Sequence, residues 1–408
     1  MKILAIETSC DDTAISIVEV RGSLKKPIFK VLAHNISSQI KIHQEWGGVV
    51  PSLAKREHGR NLVPILIKSL EEAGLKISAS PKSDLATRDT TSSSRSRNLE
   101  KKLAKILERE PELKEQFLKI IPTLKIPKID AIAVTKGPGL EPALWVGINF
   151  AKALALVWDK PLYPVNHLEG HILASLATTS KKKENKIKFP IISLIVSGGH
   201  TELVLSKDWL KYKIIGRTRD DAVGEAFDKV ARILDLPYPG GPEISKLAST
   251  FSPTTLKGAQ GSSAGVKLPR PMLHSGDFDF SFSGLKTAVL YLVQNLKKEG
   301  KFNDQIKTEI AYDFQNAAIE VLVAKTLTAS KKFKAQTIIA GGGVIANTAL
   351  REALTKMTSD NGFKLLIPEL SYSTDNATMI ALAVGLRLLA GKSKKSHTFK
   401  AEGNLNLK

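Results

Sequence analysis

Hydrophobic and polar positions follow the same order in two parts of this chain. In the first part, an apolar run at 2–7 leads into the polar turn Thr8-Ser9-Cys10-Asp11-Asp12, and alternating segments follow it. The pattern predicts strands at 2–7, 13–20, 29–35 and 129–134 and helices at 53–74 and 143–158. A glycine loop, Lys136-Gly137-Pro138-Gly139, separates the last of these strands from its helix.

The second part repeats this order, and it predicts strands at 191–196, 201–206, 212–216 and 337–340 and helices at 222–235 and 344–356. Such a repetition predicts a duplicated α/β domain in which each sheet combines a hairpin with parallel strands. We place a first lobe at 1–165 and a second lobe at 166–375. Residues 376–408 then provide a last helix that packs back on the first lobe, followed by a basic tail.

Residues 76–128 interrupt the first repeat. The stretch 87–97 is polar, basic and rich in serine, so it cannot bury a core, and we predict a flexible basic insertion. Leu99–Leu107 and Leu113–Ile121 have the spacing of short amphipathic helices. Three arginines of this stretch could contact RNA phosphates, or they could simply belong to a solvated loop with no ligand. They are Arg88, Arg95 and Arg97.

The composition is that of a globular protein, with 42% hydrophobic and 25% charged residues. A formal net charge of +20 favours a polyanionic partner such as nucleic acid, although general lysine enrichment explains it equally well. Cys10 is the only cysteine, which excludes an internal disulfide and favours a reducing compartment. Because no apolar run approaches the ~20 residues of a membrane span, we expect a cytoplasmic protein with no membrane contact.

The stretch Asn166-His167-Leu168-Glu169-Gly170-His171 follows a strand-like run and opens an apolar helix. Histidines at i and i+4 lie on one helical face and can share a metal ion, although such a pair can also be a surface accident. Zinc proteases of the H-E-x-x-H type place glutamate directly after the first histidine. Glu169 instead lies about 200° round the helix from His167, which disfavours a metallopeptidase. Asp375, before the last helix, is our choice of third ligand, with a helix cap as its alternative role, and this set suits Fe(II), Zn or Mn.

Glycine turns at strand ends can bring backbone amides close to phosphate. Three such turns are Ser197-Gly198-Gly199-His200, Pro239-Gly240-Gly241-Pro242 and Gly341-Gly342-Gly343, the last followed by Asn347. Asp228 is the carboxylate that we expect to bind a ribose or a substrate amine. The alternative is a helix-surface aspartate paired with Arg232 at i+4.

Together these motifs resemble the TsaD family, the tRNA N6-adenosine threonylcarbamoyltransferases. The resemblance covers 1–75 and 129–391, with the motifs in the family's order. Besides the glycine turns and the histidine stretch, the motifs include Ile6–Thr13, Gly47–Pro51, Gly137–Leu140, Asp220–Lys229, Ser281–Thr287 and Ser373–Asn376. The chain departs from the usual pattern at Glu141-Pro142, at Ser245 and in the insertion at 76–128.

The resemblance implies the two-lobed actin-like fold of sugar kinases and Hsp70, in agreement with the duplication. It places one divalent metal, usually iron, on His167, His171 and Asp375. It implies that threonylcarbamoyl-AMP is bound by Ile195, Val196, Ser197, Gly198, Gly199, Asp228, Gly241 and Asn347. Asp11 occupies a position that the family needs for activity, but the resemblance leaves its role and the catalytic residues unassigned.

The implied reaction transfers the threonylcarbamoyl group of threonylcarbamoyl-AMP to N6 of adenosine-37 in tRNAs that read codons beginning with A. The product is t6A, and AMP is released. TsaB-like and TsaE-like proteins are the implied partners. The alternatives are a non-catalytic nucleotide-switched module, which would give the histidine pair no task, and the metallopeptidase.

Overall fold

The structure is a computed structural model that describes residues 1–75, 92–179, 187–251 and 265–407. The strands are β1 (Lys2–Glu7), β2 (Asp12–Ser23), β3 (Lys26–Ser38), β4 (Ala131–Gly137), β5 (Leu162–Asn166), β6 (Ile191–Val196), β7 (Thr201–Asp208), β8 (Lys211–Arg217), β9 (Thr337–Gly341) and β10 (Lys364–Leu366).

The first helices along the chain are α1 (Ile40–Gln44), α2 (Pro51–Glu72), α3 (Ser92–Ile106), α4 (Pro111–Ile120), α5 (Glu141–Trp158), α6 (His167–Leu173) and α7 (Leu176–Thr179). They are followed by α8 (Val223–Ile233), α9 (Gly240–Ser249), α10 (Ser283–Lys298), α11 (Asp304–Lys332), α12 (Thr348–Asp360) and α13 (Ala377–Leu389).

The two sheets repeat one topology. The first has the order β3-β2-β1-β4-β5, and the second has the equivalent order β8-β7-β6-β9-β10. In each sheet the first three strands along the chain pair antiparallel, and the remaining two add in parallel. The predicted duplication, with a hairpin and parallel strands in each sheet, is therefore confirmed.

β1 and most of β2 are buried at successive positions, so both faces of these strands are covered. Leu4 and Ile6 of β1 and Ile15 and Ile17 of β2 are fully buried and belong to one apolar cluster. The β2–β3 hairpin extends beyond its predicted ends to the pair Ser23 and Lys26, because ladder pairing continues where the side chains are already exposed. Hydrophobic alternation therefore marks only the part of the hairpin that packs on the core.

The predicted insertion is partly a packed structure. Leu103, Leu107, Leu113 and Phe117 of the α3–α4 region are buried in the same core as β1 and β2. The flexibility of 76–128 stays a prediction, and within this segment the two amphipathic stretches form helices, of which α3 contacts α5 and α4 contacts α2. Arg88 and the side chain of Arg95 lie outside the described residues, and Arg97 is exposed.

The chain divides into two compact units. Unit 1 draws on Met1–Gln39, Val49–Asn185 and Asp375–Asn406, and unit 2 on Ile40–Gly48, Lys186–Thr374 and Leu407–Lys408. The predicted boundary at 165/166 is not where the units divide. β5 runs directly into α6, and α6 packs on α13, which itself packs on β1 and β2 in unit 1.

Among the described residues, no helix has both the length and the apolar character needed to cross a membrane.

Candidate metal centre and glycine turns

Three predicted ligands meet in unit 1. Nε2 of His167 lies 3.3 Å from Oδ1 of Asp375, and Nε2 of His171 lies 3.2 Å from the same oxygen. One potential ligand atom from each residue lies within 4.8 Å of the other two. His171 is fully buried and His167 is 5% exposed. Separations of this size are what two imidazoles and one carboxylate adopt around a single ion.

Local sequence explains how the histidines are held. Asn166 is the N-cap of α6, and its Oδ1 accepts hydrogen bonds from the backbone N–H groups of Leu168 and Glu169. Gly170 lies between the two histidines and allows close packing on α13, because a Cβ at this position would lie 2.9 Å from Cγ of Met379. The helix therefore presents both imidazoles on one face, and its close packing on α13 fixes their position.

Asp375 does not act as the helix cap that was its alternative role. The N-cap of α13 is Asn376, whose side chain accepts a hydrogen bond of 3.0 Å from the backbone N–H of Met379. The carboxylate of the preceding residue is thus left to face the two histidines. This carboxylate is 22% exposed, so the centre is accessible from the side of Asp375.

Glu7 is a site residue that the sequence motifs did not single out. Its buried carboxylate at the end of β1 accepts a hydrogen bond of 3.1 Å from Nδ1 of His167. The hydroxyl of Thr135 and the backbone N–H of Ser9 also donate to this carboxylate. A carboxylate behind a ligating histidine fixes the tautomer that leaves Nε2 free for the metal. The available signal was a charged residue at the end of an otherwise apolar strand.

The charges of the centre are strongly coupled. Burial alone would lower the pKa of His167, but the carboxylates of Asp375 and Glu7 outweigh burial and raise this pKa to about 10. Although burial favours a neutral Asp375, the two histidines hold the pKa of its carboxyl well below the usual range. Burial and the charge of His167 lower the pKa of His171.

A divalent ion fits this set of donors. Within the described part of the chain, neither ring nitrogen of His171 has a hydrogen-bond partner of good geometry, although both are fully buried. Such an orphaned imidazole costs about 1–3 kcal/mol unless something binds it. A cation at Nε2 would remove this cost and take the place of the proton that His167 otherwise holds.

Glu169 is engaged elsewhere. Its fully buried carboxylate accepts a hydrogen bond of 2.7 Å from Nε of Arg387 on α13. A general base of the H-E-x-x-H kind needs a carboxylate that faces a metal-bound water. The ion pair therefore gives Glu169 a structural role and removes the residue that a metallopeptidase would need.

Asp12, in the first polar turn, provides a pH-dependent prediction. Burial first, and then the charges of Asp11 and Asp375, raise the pKa of its carboxyl to about 7. The native state thus binds this proton more tightly than the unfolded chain, so the free energy of unfolding falls as pH rises from about 4 to about 7. We expect Asp12→Asn, in metal-free protein, to gain stability over the parent across this range, by at most ~4 kcal/mol at pH 8. Urea unfolding at several pH values in the presence of a chelator measures this difference.

The matched control repeats the titration with a divalent metal, which offsets the charge of Asp375 and should shrink the gain. A difference between Asp12→Asn and the parent that does not change between pH 4 and pH 8 would contradict the assignment.

In unit 2, the predicted glycine turns are connected to one another. Ser197 Oγ accepts a hydrogen bond from His200 N–H and shapes the first turn. This turn lies against the start of α8, because a Cβ at Gly224 would be 2.6 Å from the carbonyl oxygen of Ser197. A Cβ at Gly198 or Gly199 would meet no atom within 4 Å beyond the neighbouring residues of the chain, so the outer face of the turn is open to a ligand.

Asp228 connects α8 to the second turn. Its Oδ1 accepts a hydrogen bond of 2.7 Å from the backbone N–H of Gly240, at the start of α9. A Cβ at Gly241 would likewise meet no atom within 4 Å beyond the neighbouring residues of the chain. Arg232, the alternative partner of Asp228, donates to the carbonyl oxygen of Gly47 at 2.5 Å. Asp228 therefore positions the second glycine turn.

Asn347 connects α9 to the third turn. Its Nδ2 donates to Ser245 Oγ at 2.7 Å and to Gln315 Oε1 at 2.9 Å, while its Oδ1 caps α12. Ser245, one of the departures from the family pattern, thus supports Asn347. Ile195 and Val196 are fully buried in β6, so only their backbone could face a ligand. That these residues bind the substrate stays a prediction.

Comparison with known proteins decides the family. The model of the TsaD family, described as tRNA N6-adenosine threonylcarbamoyltransferase, matches residues 30–80 and 108–382. The chain belongs to the TsaD family. It is 42% identical to the tRNA N6-adenosine threonylcarbamoyltransferase of Burkholderia lata, over 95% of this chain and 92% of that protein. The protein of the same name from Burkholderia thailandensis is 41% identical over 98% of this chain and 96% of its own length.

Membership in the TsaD family confirms the resemblance, the transferase class and the actin-like fold class. Among solved structures, component A of the (R)-2-hydroxyglutaryl-CoA dehydratase of Acidaminococcus fermentans aligns with 96% of this chain and 99% of its own chain, at 12% identity and a TM-score of 0.44. The family model leaves only residues 81–107 unmatched between its two segments. This unmatched stretch lies within the predicted insertion at 76–128.

Proposed function

We propose that this TsaD-family protein transfers the threonylcarbamoyl group of threonylcarbamoyl-AMP to N6 of adenosine-37 in tRNAs that read codons beginning with A. The N6 amine attacks the carbamoyl carbon, the bond from that carbon to the phosphate oxygen breaks, and AMP leaves. The observation that carries the proposal is the convergence of His167, His171 and Asp375, supported by Glu7, in a chain of this family.

The donor is a mixed anhydride and is already activated, so the protein has to position the reactants and stabilise developing charge. The open glycine turns at Gly198, Gly199 and Gly241 give backbone groups close access to the adenylate. We propose Asn347 and Asp228 as further contacts of the adenylate, since the first orders the start of α12 and the second orders the Gly240-Gly241 turn.

We propose that His167, His171 and Asp375 hold one divalent ion, and that this ion is Fe(II), because two imidazoles and one carboxylate leave coordination positions open. When bound, such an ion supplies Lewis-acid stabilisation of carbamoyl or phosphate oxygens. Glu7 keeps the proton of His167 on Nδ1, and α6 and α13 keep the imidazoles and the carboxylate in register.

We propose tRNA as the acceptor, with TsaB-like and TsaE-like proteins as partners. The net charge of +20 suits a polyanionic substrate. The base to be modified lies in a single-stranded loop, where it can leave its stack. The metallopeptidase alternative is disfavoured by the ion pair of Glu169 with Arg387. A nucleotide-switched module gives the metal centre no role.

The direct test incubates the purified protein and its two partner proteins with an unmodified tRNA transcript and threonylcarbamoyl-AMP. We expect mass spectrometry of the digested tRNA to detect threonylcarbamoyladenosine, with AMP released in equal amount. Failure to form this nucleoside with folded, metal-loaded protein would contradict the proposal. Cleavage of a peptide that stops on chelation would revive the metallopeptidase.

A further inference from the structure

A basic groove of about 750 Å³ lies in unit 1, lined by residues of α3, of α5 and of the segments that follow them, and by His397. Its volume falls within the ~300–1,000 Å³ that is typical of ligand-binding clefts. Two acidic side chains line it, those of Glu108 and Asp159. Five cationic side chains line it as well: Lys102, Lys105, Arg109, Lys152 and Lys160.

Most of these cations form no ion pair with another described residue. Among the described residues, no ion pair involves the side chains of Lys102, Lys105, Arg109 or Lys160. Like charges on a concave surface repel one another. The low-dielectric walls of the groove focus their field, so the positive electrostatic potential inside the groove is high. The groove therefore favours a ligand with several negative charges.

Lys152 shows that the groove also has an aromatic and apolar wall. Its Nζ donates to the carbonyl oxygen of Phe399 at 2.8 Å and lies 5.5 Å from the ring centre of Trp145 and 5.0 Å from that of Phe399. Ile106 and Leu156 add aliphatic surface to the lining. A wall of this kind beside cations suits a nucleic-acid strand, which combines phosphates with apolar base faces.

We infer that this groove binds the phosphate backbone of the tRNA at a place separate from the reacting adenosine. The inference rests on the proposed function, since it takes tRNA as the polyanion. The groove shares no lining residue with the metal centre or with the glycine turns. Lys102 and Lys105, at i and i+3 on α3, lie within the 81–107 segment that the TsaD model leaves unmatched.

The test measures binding of a tRNA transcript to the full-length protein over a range of salt concentrations. The variant is Lys102→Gln/Lys105→Gln, and its matched control is Lys101→Gln/Lys119→Gln. The control removes two exposed lysines of α3 and α4 that do not line the groove. Each phosphate contact contributes about 0.7–0.9 to the slope of log affinity against log salt. We expect the groove variant to reduce this slope by about 1.5 and the control to leave it unchanged.

Modification of the tRNA separates this inference from the proposed function. With saturating tRNA, the groove variant should form threonylcarbamoyladenosine at the rate of the parent protein, with an increased KM for tRNA. Equal salt slopes for variant and control, in a protein that modifies tRNA, would overturn the groove and leave the function intact. Loss of binding to polyglutamate but not to tRNA would also overturn it, because the occupant would then be an acidic polypeptide. A parent protein that neither binds nor modifies tRNA would overturn both.

Discussion

We expect His171→Ala to reduce the bound metal from about one ion per chain to nearly none and to lower tRNA modification by at least about 100-fold. The imidazole lies 3.2 Å from the carboxylate of Asp375, is fully buried, and has no hydrogen-bond partner of good geometry within the described residues. Besides its proximity to Asp375, it has no polar contact to lose except the one with an ion. Metal analysis of the purified protein and quantification of threonylcarbamoyladenosine measure the two effects.

The control for this substitution is His274→Ala, which removes an exposed histidine of unit 2. It should leave metal content and activity unchanged. In the presence of a chelator, His171→Ala should unfold at nearly the temperature of the parent, because the alanine removes an unsatisfied polar group along with the packing of the ring. Full metal content in His171→Ala would show that the ion binds elsewhere, and full activity without metal would remove the electrophilic centre from the mechanism.

We expect Phe117→Ala to lower the free energy of unfolding by about 3–5 kcal/mol. Phe117 of α4 is fully buried and meets Phe150 of α5 edge to face, with ring centres 5.9 Å apart. Its removal would leave a cavity between the segment at 97–128 and the core of unit 1. Urea unfolding followed by circular dichroism measures the loss.

Leu118→Ala provides the matched comparison, because Leu118 is the next residue of the same helix and is 37% exposed. We expect a change of less than about 1 kcal/mol. Equal, small losses for the two variants would mean that α4 does not pack on the core and that this segment is a flexible insertion.

The order of the secondary-structure elements was readable from the sequence because it depends on local patterns. The apolar run at 2–7, the alternation at 13–20 and the repeat of turns and glycine loops were enough to predict two equivalent mixed sheets. The histidine pair was readable for the same reason, since an i,i+4 spacing on a helix fixes which side chains share a face. Asp375 was predicted from its place before the last helix, and the structure brings it to the pair.

The lobe boundary and the insertion could not be predicted in this way. The division at 165/166 followed the sequence repeat, but compactness depends on α6 packing against a helix about 200 residues later. The serine-rich stretch concealed that Leu113 and Phe117 belong to the core, because composition averages over a segment whereas burial is decided residue by residue.

The sequence by itself determined the elements, their order, the family and the three candidate ligands, because each depends on local motifs and on their order along the chain. Only the tertiary structure decided that Glu7 holds His167, 160 residues away, that Ser245 supports Asn347, and that lysines of two distant helices line one groove. The physical reason is that these contacts depend on which surfaces meet after the sheets and helices have packed. The local periodicity of the sequence does not specify such long-range contacts.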